Sequence, residues 1–181
     1  MGEDTSTLAA RFIDDTALTF RRQKDLAERA FAQVDDADFF RTVDAESNSI
    51  GVIAKHIGGN LRSRFTDFLK SDGEKPDRDR DSEFVIVSGT SRAQIMSGWE
   101  SGWSTLFQTL QSLRPADLEE TVHIRGEAVS VLAALHRAIA HVAQHVGQVV
   151  MLAKHLRSAE WKTLSIPRGQ SGRWSPSHPP R

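Results

Sequence analysis

The chain has 181 residues, 39% of them hydrophobic and 26% charged, with 23 basic against 24 acidic side chains and a formal net charge of -1. That length suits one domain with a sizeable core, and that balance argues against a nucleic-acid binder, which needs a basic excess or patch. No cysteine is present, which excludes disulfides, thiolate zinc sites and a cysteine nucleophile.

No apolar run approaches the ~18 residues that span a bilayer. The opening Met1-Gly2-Glu3-Asp4 is acidic, unlike the basic start of a signal peptide. A cytoplasmic protein with no membrane contact is expected.

Helical periodicity runs from about Thr7 to Val34. Phe12, Thr16, Phe20, Ala27, Phe31 and Val34 fall on one buried stripe. A second helix follows the polar cluster Ser47-Asn48-Ser49, which suits an N-cap, and runs to about Leu69. Ile50, Ile53, Ile57, Leu61, Phe65 and Phe68 mark its apolar face. Then "SDGEKPDRDRDSE" (Ser71–Glu83) is nearly all charged or turn-forming, and predicts a solvated crossover. A third helix opens at Ser91, with Gln94 at capping-box spacing, and stops near Pro115. Ile95, Trp99, Trp103, Leu106 and Leu110 form its core face, with both tryptophans as packing residues. Gly98 and Gly102, four apart, permit close approach by a neighbouring backbone. "TVHIRGEAV" (Thr121–Val129) reads as a β-hairpin turning at Arg125-Gly126. A fourth helix runs from about Ser130 to Leu156. "SIPRGQSGRWSPSHPPR" (Ser165–Arg181) holds four of the six prolines and reads as an extended tail.

These elements predict an all-α fold: a four-helix bundle with a long crossover after the second helix and a small β-hairpin before the fourth. Residues 1–164 would form the bundle and residues 165–181 a Pro/Gly/Ser-rich C-terminal tail.

The fourth helix carries "HVAQHVGQ" (His141–Gln148). At about 100° per residue, His145 lies roughly 40° from His141 and Gln148 about 20° to the other side. The stripe Leu135, Ala138, Val142, Val146 and Val149 centres about 100° away. Both imidazoles therefore sit at the margin of the buried face, where a cleft between helices opens. His136 points about 220° round, and His155 lies about 15 Å beyond His145, so neither joins them. His123 and His178 have no partner by spacing.

His56 sits mid-way along the second helix, with Asn60 one turn on. Gly58 and Gly59 follow, each costing ~1 kcal/mol against alanine in a helix interior. Close approach of backbone or ligand beside His56 would justify them, and so would tight helix packing. His56, His141 and His145 together would offer three nitrogen ligands with open positions, and Asn60 and Gln148 could orient ligands or water from behind. The residues alone leave open whether the histidines bind metal or merely pack.

The layout of one His in helix two, a charged crossover, a hairpin and H-x-x-x-H in helix four resembles the DinB/YfiT-like metalloprotein superfamily. "HIGGNLRSRFTDFLKSDGEKPDRDRDSEF" and "HVAQHVGQVVMLAKHL…WKTLSIPRGQS" are similar to an uncharacterised bacterial branch of it, over nearly the whole chain. The resemblance implies a four-helix bundle, often a homodimer, whose metal triad takes one His from helix two and two from helix four, here His56, His141 and His145. It implies nickel or zinc as the metal. Relatives include transferases that join a low-molecular-weight thiol to an electrophile, and others with no known activity.

As an enzyme, the resemblance implies, the protein would take small-molecule substrates and a thiol cosubstrate, since the chain supplies no thiol of its own. The H-E-x-x-H glutamate is absent, Val142 standing in its place, which disfavours a zincin mechanism. Arg168 could reach an anionic group on a cosubstrate, or the tail could pack on a partner subunit. The alternatives are a non-catalytic metal-binding dimeric stress-response protein and a hydrolase using metal-bound water.

Overall fold

The computed structural model describes residues 2–173; residues 174–181, with His178 and the end of the expected tail, lie outside the described residues. The elements run α1 (Gly2–Phe31), α2 (Asp36–Phe40), α3 (Ile50–Phe65), α4 (Arg92–Ser112), β1 (Thr121–Ile124), β2 (Glu127–Ser130) and α5 (Val131–Arg157). The long helices α1, α3, α4 and α5 form the expected bundle, with the hairpin between α4 and α5 and a long connection between α3 and α4. No helix among the described residues is long and apolar enough to cross a membrane.

Serines start three of these helices. The hydroxyls of Ser49, Ser91 and Ser130 accept from the backbone N–H groups of Val52, Gln94 and Ala133, which would otherwise lack partners. Gln94 closes the box by accepting from Ser91 N at 2.8 Å. β1 and β2 pair antiparallel, with Ile124 opposite Glu127. The turn between them holds Arg125 at φ 57° and Gly126 at φ 77°, the left-handed pair that a two-residue hairpin needs.

α3 packs along α4, and α1 along α5. Small residues bring α3 and α4 together. A Cβ at Gly58 would stand 2.8 Å from Gly98 O, and one at Gly102 would overlap the Gly58 carbonyl. Nothing lies within 4 Å of a Cβ at Gly98, so the close approach depends on Gly102 rather than on both glycines. Trp99 and Trp103 are fully buried, with ring centroids 5.3 Å apart edge to face. Phe20 of α1 meets Trp103 at 6.2 Å, which joins α1 to that seam.

Several boundaries differ from the sequence reading. α1 stops at Phe31 rather than Val34, and the unexpected α2 follows, capped by Asp35 accepting from Asp38 N at 2.8 Å. α3 stops at Phe65 rather than Leu69, because Thr66 is extended and Asp67 turns left-handed at φ 48°. Phe68 is buried all the same. Of the predicted stripes, only Phe12 and Ala138 are half-buried rather than buried.

The larger correction concerns the crossover. Ser71–Glu83 is not a simple solvated strap. Gly73 N donates to His123 O at 2.8 Å, and Ser63 Oγ donates to Gly73 O at 2.8 Å. The Asp72 carboxylate accepts from the N–H groups of Arg125 and Gly126, at 2.8 and 2.7 Å. Further on, Lys55 Nζ of α3 donates to the carbonyls of Ser82 and Val85 at 2.6 and 2.8 Å. The connection is thus pinned to the hairpin at one end and to α3 at the other. Its charged side chains look inward as well as out.

Candidate metal centre

The fold brings His56 of α3 together with His141 and His145 of α5. Spacing of four on α5 puts its two imidazoles on one face, and their ring centroids stand 4.6 Å apart. His56 reaches them from the facing helix, at 5.2 Å from His141 and 5.0 Å from His145. The Nε2 of His141 lies 3.2 Å from Nε2 of His56 and 3.2 Å from Nε2 of His145. Among the described residues this is the group of three that could hold a metal ion.

The separations fit such an ion. Two nitrogens each about 2.1 Å from one cation, at a roughly tetrahedral angle, stand about 3.4 Å apart. Tautomers point the same way. His56 Nδ1 donates to Glu83 Oε2 at 2.8 Å, and His145 Nδ1 donates to Gln148 Oε1 at 2.8 Å. With the proton on Nδ1, each Nε2 presents a lone pair toward His141 Nε2. One proton on His141 Nε2 could serve only one of them, whereas a cation serves all three.

Electrostatics keep the α5 pair in the ligand form. Burial, then the neighbouring imidazoles and the charges of Arg64 and Arg78, push His141 down to about 3. Burial also lowers His145, with the Gln148 bond opposing and His56 assisting. Neither ring holds an extra proton at neutral pH, and a metal needs that free lone pair.

Glu83 was the site residue missing from the sequence reading. It is buried, on the 3₁₀ turn Asp81–Phe84 that closes the crossover. Burial pulls its carboxyl up, but the bonds from His56 and Arg78 outweigh that and hold it below the usual range. Arg78 grips it with two bonds, Nε to Oε1 and Nη2 to Oε2, both 2.8 Å. The two side chains are only 6% and 8% exposed. Phe84 lies on the His56 ring at 4.7 Å. Gly59 makes room for this arrangement, since a Cβ there would fall 2.9 Å from Glu83 Cδ. Of the reasons given for the glycine pair, tight helix packing holds for Gly58, while Gly59 makes room for a side chain rather than for backbone or ligand. Gly58 admits the α4 backbone, and Gly59 admits the carboxylate that holds His56.

Of the two supporting residues read from the sequence, Gln148 bonds His145, while Asn60 has no bond to the imidazoles and lines an adjoining cavity. That cavity has a volume of about 190 Å³ and borders His56 and His141. His136 and His155 are exposed on α5 and stand apart from the cluster, as phase and axial distance suggested, whereas His123, given no partner by spacing, lines this cavity from the hairpin. Arg168 does not line the cavity.

A family model described as a protein of unknown function, DUF1572, matches residues 7–170 and so spans every element of this site. The chain belongs to DUF1572. No curated protein and no solved structure matches it. Among the described residues of this DUF1572 chain, the three-histidine cluster could hold a metal ion.

Proposed function

We propose that this DUF1572 protein is a metalloprotein of the DinB/YfiT-like type, holding nickel or zinc on His56, His141 and His145. We further propose that it joins a low-molecular-weight thiol to an electrophile. The observation that carries the metal reading is the meeting of three Nε2 atoms, two of them turned inward by the Glu83 and Gln148 bonds. A divalent ion there would act as a Lewis acid, favouring the deprotonated form of a thiol brought to it.

The chain's own residues perform the rest. Glu83 and Gln148 fix the tautomers of His56 and His145. Phe84 covers one face of the His56 ring and excludes water from it. The cavity beside His56 and His141 is the route by which a small molecule approaches. Glu83, the carboxylate nearest the cluster, is held by His56 and Arg78 and is not free to take a proton from substrate. This supports a reaction whose nucleophile arrives already acidic, such as a thiol, over one that needs a carboxylate base. The chain has no cysteine, so the thiol belongs to a cosubstrate.

Metal analysis of the purified protein tests the first part. His141→Ala should abolish metal retention, while His136→Ala, on the exposed face of the same helix, should retain it. Equal retention in the two variants would sink the assignment. Consumption of low-molecular-weight thiols with model electrophiles tests the second part, and metal-loaded protein that consumes none would remove the transferase reading.

A further inference from the structure

Five arginines and no carboxylate line the cavity beside the histidines: Arg64, Arg78, Arg80, Arg125 and Arg137. This concentration of positive charge lies in a chain whose net charge is -1. Two carboxylates stand behind the wall, and both are occupied. Glu83 is taken by Arg78 and His56. Glu74 is shared among Arg64, Arg78 and Arg125, at 3.0, 3.2 and 3.1 Å. Arg137 has only a 3.8 Å pair with the exposed Glu127, and Arg80 a 3.8 Å pair with the exposed Asp81. Five guanidinium groups meet two close carboxylates, the buried Glu83 and the half-buried Glu74, so the wall carries an excess of positive charge.

Helical spacing builds this wall together with the histidine cluster. On α3, His56, Asn60 and Arg64 follow at intervals of four; on α5, Arg137, His141 and His145 do the same. Each set forms one stripe. The stripes oppose each other, histidines beside histidines at one end and arginines beside the cavity at the other. The crossover supplies Arg78 and Arg80, and the hairpin turn supplies Arg125, held in place by the Asp72 bonds.

Three buried donors among the described residues lack a hydrogen-bond partner: Trp103 Nε1, Arg64 Nη1 and His141 Nδ1. Trp103 lies away from this cavity, whereas Arg64 and His141 both line it. Buried polar atoms in folded proteins are nearly always paired. An arginine nitrogen can only donate. His141 Nδ1 donates too when Nε2 faces a metal, and that one point rests on the proposed metal centre. Burial, together with the charges of Arg78, Arg125 and Arg137 and against the pull of Glu74, makes the Arg64 proton easier to lose. The group that answers all of these is an acceptor with negative charge.

We propose that the cavity is an oxyanion site, in which the arginine wall takes the carboxylate or phosphate group of a small acidic molecule whose other end reaches the three imidazoles. Planar guanidinium groups suit both oxyanions, because they donate in pairs. An apolar cavity of roughly 150 Å³ holds benzene, so about 190 Å³ admits a small organic acid. The site therefore selects acidic substrates or cosubstrates.

The test uses the full chain freed of metal, titrated separately with succinate and with inorganic phosphate at ionic strength matched by sodium chloride. Melting temperature should rise saturably with at least one anion, and the tighter of the two assigns carboxylate or phosphate chemistry. Arg64→Gln and Arg137→Gln should each weaken that binding roughly tenfold, the loss of one charge-assisted bond. Arg137 is exposed and loosely paired, so its variant keeps the fold and preserves the test if Arg64→Gln unfolds. Arg22→Gln, on the exposed side of α1, should bind as the wild type does. No saturable shift with either anion, or an Arg137→Gln response equal to wild type, overturns the proposal. Because the titration is done without metal, its failure leaves the metal reading standing, and failure of the wild type to take up metal leaves the arginine site standing.

Discussion

The two sides of the histidine cluster are held by different means. On α5, one regular helix sets both His141 and His145, and Gln148 on that same helix orients the second ring. No contact distant in sequence is needed. On α3, His56 depends on residues 22 to 28 positions away: Arg78 grips Glu83, Glu83 holds Nδ1, and Phe84 covers the ring. Lys55 anchors the 3₁₀ turn that presents them, and Gly59 leaves them space. The α5 limb is therefore as stable as its helix, whereas the α3 limb is only as stable as the crossover. The long charged connection is a structural part of the site.

The comparison is broken most severely at Glu83. Glu83→Ala leaves Arg78 buried with only Glu74 for a partner and frees His56 Nδ1. Removing one member of a buried pair costs about 3 kcal/mol or more, and losing an orienting partner of a metal ligand costs about 10- to 100-fold in metal affinity. Denaturant unfolding of the metal-free protein and a competitive metal titration read these separately. Glu83→Gln keeps an acceptor for His56 but drops the charge, so it should recover part of the affinity and less of the stability. If Glu83→Ala left metal affinity unchanged, His56 would not depend on the crossover.

Acid should act on the α5 limb first. An imidazole in the unfolded chain titrates near 6.5, whereas folded His141 stays unprotonated down to about 3. As pH falls through that window, the unfolded chain takes up the proton and the folded one does not, so stability is lost on the acid side and regained as pH rises. His145 is lowered as well and adds to the same trend. Glu83 is lowered too, and its contribution falls away only at more acidic pH, below the ordinary carboxylate range. Unfolding of metal-free protein across this range should therefore show loss beginning near pH 6.5, and His141→Ala should flatten that upper part. An unaltered profile in the variant would contradict the burial of His141.

Much of this was legible in the sequence because helices leave a period. The stripes of Ile50 to Phe68 and of Ile95 to Leu110 located α3 and α4, and phase alone separated His141 and His145 from His136. The hairpin was legible because Arg125-Gly126 lies between alternating residues, and the tight turn needs a left-handed pair there. Glu83 was not legible. A carboxylate that follows eight charged residues between Asp72 and Asp81, those two included, has no local mark of burial, since what buries it is tertiary: Lys55, Gly59 and Arg78. The arginine wall was hidden for the same reason, being assembled from α3, the crossover, the hairpin and α5, while the tail residue Arg168 stood out only by its setting. Gly59 was the one clue, a costly helix residue beside a candidate ligand.

Gln148 gives the smallest effect and the sharpest contrast. Its side chain is exposed and makes one bond, to His145 Nδ1 at 2.8 Å. Gln148→Ala removes no buried charge and places a good helix former in a helix interior, so stability should stay within about 0.5 kcal/mol. The His145 ring would keep its place through the backbone of α5 but lose the partner that fixes its tautomer, and water can take over an exposed bond. Metal affinity should therefore fall only several-fold, below the roughly tenfold lower bound for a buried orienting partner. A competitive titration beside Glu83→Ala decides the point. Equal losses in the two variants would mean that both limbs rest on their second partners alike, and that the regular helix gives His145 no independent hold.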